Sequence, residues 1–228
     1  TGTGVYITGT GNPVISANMI LSNGSNGIMI SSSADPTITG NSVNSNLGYP
    51  IRCFGRHVGQ ISGNVFTGNQ YQKIFVSGDV IRNSCSWAYP DIPYLINGDI
   101  SVYGDSGIPA VLTLEPGVEL QFARYYQLTI GTSSSTNPGG LMAQGTSADP
   151  ILMTYNDSVG SPAPGGEWDG LYFDNYASDA DCILEHVQIE YAGYSSNDCL
   201  VCNGSSPTLN KCVISNGAGS AIYCLNSA

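Results

Sequence analysis

The chain has 228 residues, only 10% of them charged, and a formal net charge of −11 at pH 7. The scarcity of Lys and Arg excludes a nucleic-acid-binding surface, which needs clustered basic side chains. A hydrophobic fraction of 41% excludes a disordered chain, and the absence of an apolar run of about 18 residues excludes insertion into a membrane.

Residues 5–76 repeat with a period of 23 residues. The apolar columns of this repeat are Val5, Ile28, Ile51 and Ile74; Ile7, Ile30, Cys53 and Val76; Ile15, Ile38 and Ile61; and Ile20, Val43 and Phe66. Two polar columns keep the same register, namely Asn18, Asn41 and Asn64, and Asn23, Asn46 and Asn69. Such a repeat is the signature of a solenoid.

Within each repeat, apolar residues alternate with small polar ones over short runs that Gly, Asn and Pro interrupt. This alternation predicts short strands joined by bends. A unit of three short strands predicts one coil of a parallel β-helix, with coils about 4.8 Å apart. We expect the Ile and Val columns to fill the interior and the Asn columns to lie at bends, where amides of successive coils pair.

The segment GNPVISANMILSNGSNGIMISSSADPTITGNSVNSN resembles the right-handed parallel β-helix repeat of pectate-lyase-like solenoids in secreted and surface bacterial proteins. The resemblance covers residues 4–76 and, less closely, residues 182–228. It implies an all-β fold, a right-handed parallel β-helix with coils of about 23–25 residues. The Ca²⁺-binding Asp cluster and basic Arg of pectate lyases have no counterpart here, because Arg124, the only Arg of the acidic second part, lies well before the acidic segment.

The second part of the chain begins differently from the first. Segments such as DISVYGDSGIPAVLTLEPGVELQF resemble the opening of another β-helix module in secreted bacterial proteins. We therefore predict that residues 1–89 end one module and that residues 90–228 start a second, stacked as one continuous solenoid. In the second module, Leu128 and Ile151 lie 23 residues apart, and Leu184 and Leu209 lie 25 apart. Both termini cut through the repeat, so we expect the sequence to be a piece of a longer protein.

Seven cysteines leave at least one thiol unpaired within a monomer. Cys199, Cys202, Cys212 and Cys224 superficially suggest zinc, but Cys212 occupies the Asn column and Cys53 an interior column. Three interpretations remain open: small buried hydrophobes, a disulfide among Cys199, Cys202 and Cys224, or a metal site. Neither His57 nor His186 lies in a nucleophile motif.

An acidic segment over residues 157–181 contains no Lys or Arg. Its carboxylates are those of Asp157, Glu167, Asp169, Asp174, Asp179 and Asp181. They are candidate ligands for Ca²⁺, which prefers oxygen, or candidates for the acid and base of a glycosidase. The alternative is a solvated acidic loop with Trp168 tucked against the solenoid.

Aromatic residues concentrate in the same part of the chain. The candidate sugar-binding face consists of Tyr155, Trp168, Tyr172, Tyr176, Tyr191 and Tyr194. Flat rings with polar tips suit stacking and hydrogen bonding to a sugar, although Tyr is also a favourable strand residue.

Together these features predict a non-catalytic structural or adhesive segment of a longer extracellular or cell-surface protein. Its partners would be copies of itself, end to end, or a polysaccharide, and calcium would be its one candidate cofactor. The alternative is a carbohydrate-binding or carbohydrate-active domain, similar to a lyase or glycosidase, so enzymatic activity stays open. Two carboxylates facing each other across an aromatic groove would favour a glycosidase.

Overall fold

The structure, a computed structural model, describes residues 2–31, 33–156, 167–195 and 198–226. Within these residues it contains 24 strands and one 3₁₀ helix, η1. The N-terminal elements are β1 (Val5–Ile7), β2 (Val14–Ser16), β3 (Met19–Leu21), β4 (Ile28–Ile30), β5 (Thr37–Thr39), β6 (Ser42–Asn44), β7 (Ile51–Phe54), η1 (Gly55–Gln60), β8 (Ile61–Ser62), β9 (Val65–Thr67), β10 (Ile74–Ile81) and β11 (Cys85–Trp87). The C-terminal elements are β12 (Tyr94–Val102), β13 (Ala110–Leu114), β14 (Glu119–Phe122), β15 (Gln127–Ile130), β16 (Gly139–Gln144), β17 (Ile151–Tyr155), β18 (Gly170–Phe173), β19 (Ala177–Glu185), β20 (Val187–Glu190), β21 (Asp198–Asn203), β22 (Thr208–Asn210), β23 (Val213–Ser215) and β24 (Ser220–Leu225).

The strands form stacks in which each pairs in parallel with strands of the neighbouring coils. One sheet has 13 strands, and its main path runs through β1, β4, β7, β10, β12, β14, β17, β20 and β23. A second sheet contains β11, β13, β16, β19 and β22, and two three-stranded sheets contain β2, β5 and β8, and β3, β6 and β9. The predicted all-β parallel β-helix is confirmed.

The N-terminal coils follow the predicted 23-residue register. Val5 pairs with Ile28 and Ile28 with Ile51, while Ile15 pairs with Ile38. The inward members of these columns reach 0% exposure at Ile28, Ile38 and Ile51. Burying a full Ile side chain contributes about 1.5–3 kcal/mol, so the column order of the sequence specifies the interior.

Two ladders of asparagine side chains connect successive coils. They run through Asn18, Asn41 and Asn64, and through Asn23, Asn46 and Asn69. Asn46 is 1% exposed. Its Nδ2 donates to Asn69 Oδ1 at 2.9 Å and to the Ile20 carbonyl at 3.1 Å, and its Oδ1 accepts from Asn23 Nδ2 at 2.9 Å. The side-chain amide therefore satisfies polar groups of three coils at a bend.

The main sheet divides at the long strand β12. Its first residues pair with β14 and its last residues with β15, so β15, β18, β21 and β24 form a second branch. Gly78 and Gly98 lie where the register between β10 and β12 shifts. A Cβ on Gly98 would approach the Gly78 nitrogen to 2.4 Å, and Gly98 has a φ of +149°, so this close approach of two strands requires glycine.

Coil length varies after β12, against the prediction of 23–25 residues throughout. Leu128 pairs with Leu171, not with Ile151, and Met153 pairs with Leu120. Long connections between strands change the number of residues per coil while the stacking is kept. Leu184 does pair with Leu209, as predicted.

The predicted module boundary between residues 89 and 90 lies between β10 and β12. These two strands pair at seven positions across the boundary. The division into two modules stays a prediction. No helix among the described residues is long and apolar enough to cross a bilayer.

Asn46→Ala should destabilise the protein by about 2–4 kcal/mol, because it strands buried polar groups in adjacent coils. The matched Asn44→Ala variant removes a partly exposed amide whose Oδ1 accepts from the Thr67 N–H at 2.9 Å, and it should cost less than about 1 kcal/mol. Urea unfolding followed by circular dichroism measures both changes. Equal losses in the two variants would contradict the structural role of the ladder.

Candidate functional site

A shallow groove of about 420 Å³ runs along the outer face of the 13-stranded sheet. We call it the aromatic groove. Its lining residues are Tyr49, Phe75, Leu95, Asn97, Ala123, Arg124, Tyr155 and Asn156. They come from several different coils, because outward-facing residues of successive strands form a row across the sheet.

Aromatic rings form one wall of the aromatic groove. The ring of Tyr49 stacks on Tyr71, with centroids 4.7 Å apart, and lies 5.0 Å from the ring of Phe75. The guanidinium of Arg52 lies over the Phe75 ring at 4.5 Å. Burial, reinforced by Tyr71, raises the pKa of Tyr49, and Arg52 opposes this shift. The Tyr49 hydroxyl therefore stays protonated at neutral pH and can donate a hydrogen bond.

Polar groups form the other wall. Lys73 Nζ donates to Asn156 Oδ1 at 2.6 Å. Arg124 pairs with Glu167, with Nε 3.1 Å from Oε2. Its guanidinium also lies 5.3 and 5.2 Å from the ring centroids of Tyr125 and Tyr194. Arg124 thus connects the aromatic groove with a neighbouring pair of tyrosines.

The rings of the predicted sugar-binding face lie in different surroundings. Tyr155 lines the aromatic groove, and Tyr194 packs edge-on against Tyr125 at 4.6 Å. Tyr172 lies on β18, in the second branch of the sheet. Tyr176 is 38% exposed in the turn after that strand. Tyr191 follows β20 with a φ of 56°.

Trp168 lies in the core and does not belong to any exposed face. It is 0% exposed, stacks on Phe122 with centroids 4.1 Å apart, and donates from Nε1 to the Glu190 carbonyl at 2.8 Å. A buried indole whose N–H has found a partner is a packing residue. Its ring is therefore unavailable to a sugar, which corrects the prediction for this residue.

The predicted calcium ligands each have their own protein partners. Besides the Arg124–Glu167 pair, Asp169 accepts from Ser195 Oγ at 2.8 Å and Asp174 accepts from Asn203 Nδ2 at 3.0 Å. Asp179 accepts from the Ser206 N–H at 2.6 Å, and Asp181 from Ser178 Oγ at 2.7 Å. Asp157 lies outside the described residues. The calcium site stays a prediction.

A second, more charged pocket of about 550 Å³ lies beside η1. Here the Asp79 carboxylate, with its side chain 3% exposed, accepts from Arg56 Nε and the Val80 N–H, both at 2.8 Å, and also contacts Arg56 Nη2. Arg82 is likewise paired, with Asp105 at 3.1 Å. These partnerships satisfy the charges internally. Sequence analysis missed the pocket, although Arg56 and Asp79 are separated by the repeat period of 23 residues.

His57 lies in η1 behind this pocket and is 0% exposed. Its Nδ1 accepts from the Phe54 N–H at 3.3 Å. Burial lowers the pKa of His57 and Arg56 adds to this shift, while Asp79, Asp35 and a backbone hydrogen bond with Ala34 oppose it. The imidazole is therefore neutral at pH 7 and packs as part of the fold.

The comparisons with known proteins agree with this fold. Residues 1–103 match the family model described as periplasmic copper-binding protein (NosD), a right-handed parallel β-helix family. The chain is a right-handed parallel β-helix repeat protein. No significant match to this β-helix was found among curated proteins or solved structures.

The described residues of the β-helix do not fit a copper site. Copper favours thiolate, thioether and imidazole ligands. In the matched region, burial raises the pKa of the Cys53 thiol, and it raises the pKa of Cys85 to about 11. No group of three His, Cys, Asp or Glu side chains in the described part of the chain is arranged to hold a metal ion. We assign no copper chemistry to the β-helix.

Trp168→Ala should lower the free energy of unfolding by about 3–5 kcal/mol, because it leaves a cavity beside Phe122. Tyr194→Ala, which truncates a ring that is 38% exposed, should cost under about 1 kcal/mol. Chemical denaturation of both variants measures the difference. A small loss for Trp168→Ala would show that the indole is not a core residue.

Lowering the pH should destabilise the β-helix partly through His57. Its pKa is depressed in the folded state, so its contribution is present above the unfolded value of 6.5 and is lost as the pH falls below it. His57→Gln should therefore lose less stability than the wild type between pH 7.5 and pH 5.5. Thermal unfolding over this range, with His186→Gln as the control for removing a histidine elsewhere, tests the expectation. Parallel pH profiles for the wild type and His57→Gln would contradict it.

Proposed function

We propose that the β-helix is a non-catalytic carbohydrate-binding module that acts outside the cytoplasm. The observation that carries this proposal is the aromatic groove, where rings and hydrogen-bonding side chains converge on the outer face of a rigid sheet. Binding sites combine apolar and aromatic surface with a few placed polar groups. Sites built on strands hold their side chains more firmly than sites on loops.

The chemistry of the aromatic groove suits a sugar ring. The apolar faces of Tyr49, Phe75 and Tyr155 can stack against C–H groups of a pyranose. The amides of Asn97 and Asn156 each offer both a donor and an acceptor, which is what a hydroxyl needs. An elongated groove across several coils favours an oligosaccharide over a single small molecule.

The charges around the aromatic groove favour an acidic sugar. The chain has six Lys and Arg residues in total. Three of them, Arg52, Lys73 and Arg124, line or flank this groove through the contacts described above. Guanidinium groups bind carboxylates with strong, directional hydrogen bonds. A uronic acid polymer is therefore the substrate class that the groove would retain.

Binding without hydrolysis is the mode that this lining supports. The described residues that line the aromatic groove include no Asp or Glu. A glycosidase needs two carboxylates on opposite sides of the scissile bond. Glu167, the nearest acid named here, is paired with Arg124. The groove therefore supplies contacts to a glycan but no acid–base pair.

The family match supports a location outside the cytoplasm, because NosD is described as periplasmic. Placement at the cell surface or in the extracellular medium stays a prediction. The sheet and the Asn ladders would make the module a stiff carrier, which suits the structural or adhesive role predicted from the sequence. End-to-end association of copies likewise stays a prediction, and sedimentation across a concentration series would test it.

Isothermal titration of the full chain should detect oligouronates and should give weaker binding for neutral oligosaccharides of equal length. Tyr155→Ala should weaken oligouronate binding about tenfold, which corresponds to about 1.4 kcal/mol for one lost stacking partner. Added salt should weaken binding of the acidic ligand more than that of the neutral one.

Tyr176→Ala is the matched control, because this exposed tyrosine lies outside the aromatic groove and should leave affinity unchanged. Loss of affinity in the control but not in Tyr155→Ala would place the site on another face. No binding of any oligosaccharide would contradict the proposed function itself.

A further inference from the structure

Cys202 and Cys224 face each other across two neighbouring coils. They are register partners in the parallel pair of β21 and β24, so their side chains point to the same side of the sheet. The two thiols are in hydrogen-bonding contact. Adjacent parallel strands lie about 4.8 Å apart, which falls inside the range of about 4.4–6.8 Å that Cα atoms of a disulfide span.

We propose that Cys202 and Cys224 form a disulfide that cross-links β21 to β24. The proposal rests on the location outside the cytoplasm given under the proposed function, because disulfides persist in oxidising compartments such as the periplasm. It does not depend on glycan binding. The cross-link would fasten two successive coils of a fold in which each coil is held only by its neighbours.

The other nearby cysteines are directed elsewhere. Cys199 lies on the same strand as Cys202, but its Sγ contacts the Ala192 carbonyl at 3.7 Å. The Sγ of Cys212 contacts the carbonyls of Leu184 and Asn210, both at 3.5 Å. Cys212 therefore takes the place of an asparagine in the ladder. These contacts single out Cys202 and Cys224 as the pair.

Cys182 is also close, but its strand does not pair with β21. It lies on β19, which pairs with β16 and β22, and its Sγ lies 4.0 Å from the Gly139 carbonyl. A bond between Cys182 and Cys202 would have to cross the interior between two sheets. The in-register neighbour is the simpler partner.

The oxidation is a thiol–disulfide exchange with a donor disulfide, such as oxidised glutathione or an oxidising thiol protein. One thiolate attacks a donor sulfur and releases the first donor thiolate, which forms a mixed disulfide. The second thiol then loses its proton, attacks the protein sulfur and releases the second donor thiol. Burial, with further contributions from Cys224, raises the pKa of Cys202 to about 12, so Cys224 is the thiol that attacks the donor first.

Peptide mapping without reductant tests the site directly. The full chain, exported to the periplasm of a bacterial host, should yield a linked peptide containing Cys202 and Cys224. The same link should form in purified, reduced protein treated with oxidised glutathione. Cys224→Ser should abolish it, whereas the control Cys212→Ser should retain it.

Hydrogen exchange provides a second readout. Reduction of the wild type should increase exchange of the β24 amides by at least about tenfold, because opening of this strand is no longer restrained. Amides of β4, far along the stack, should be unchanged. In Cys224→Ser, reductant should have no effect on β24.

Two results would overturn the proposal. One is that Cys202 and Cys224 both remain free after glutathione treatment, and the other is that either is linked to Cys182 or Cys199 instead. If the link forms with glutathione but not in exported protein, the placement of the thiols is supported and the disulfide in the native compartment is contradicted. Glycan titration of the reduced and oxidised forms separates this outcome from failure of the proposed function.

Discussion

The hydrogen-bonded register between successive coils is the constraint on which the structure depends. Each inward side chain must lie above its counterpart in the previous coil, because parallel strands about 4.8 Å apart leave no room for a lateral offset. At the bends, where backbone groups cannot all pair within the sheets, the asparagine ladders take over the hydrogen bonding. The same register places outward residues in rows, so the surface that can bind a ligand is also set by the stacking.

The sequence predicts the parts of the fold that follow directly from this register. The Ile and Val columns, the asparagine ladders and the ladder position of Cys212 all follow from a constant period. The division of the main sheet at β12 does not, because it depends on Gly78, Gly98 and long connections that change the coil length. Where the period is broken, as between Leu128 and Ile151, equal spacing no longer indicates equal position.

The candidate site was harder to predict for the same reason. Tyr49, Phe75 and Tyr155 become neighbours only once the number of residues in each intervening coil is known. Trp168, which seemed from its acidic surroundings to belong to an exposed loop, is held in the core by Phe122 and the Glu190 carbonyl. The aromatic groove gathers rings, amides and half of the basic residues of an acidic chain, and this combination connects the architecture with carbohydrate binding. The NosD match adds a periplasmic setting, while the described side chains supply no copper ligands.

The most direct test of this account is a crystal structure of the chain in complex with an oligouronate. The account predicts sugar rings stacked over Tyr49, Phe75 and Tyr155, with a carboxylate close to Arg52 or Arg124. Density for the ligand against Tyr172 and Tyr176, on the other branch of the sheet, would contradict it.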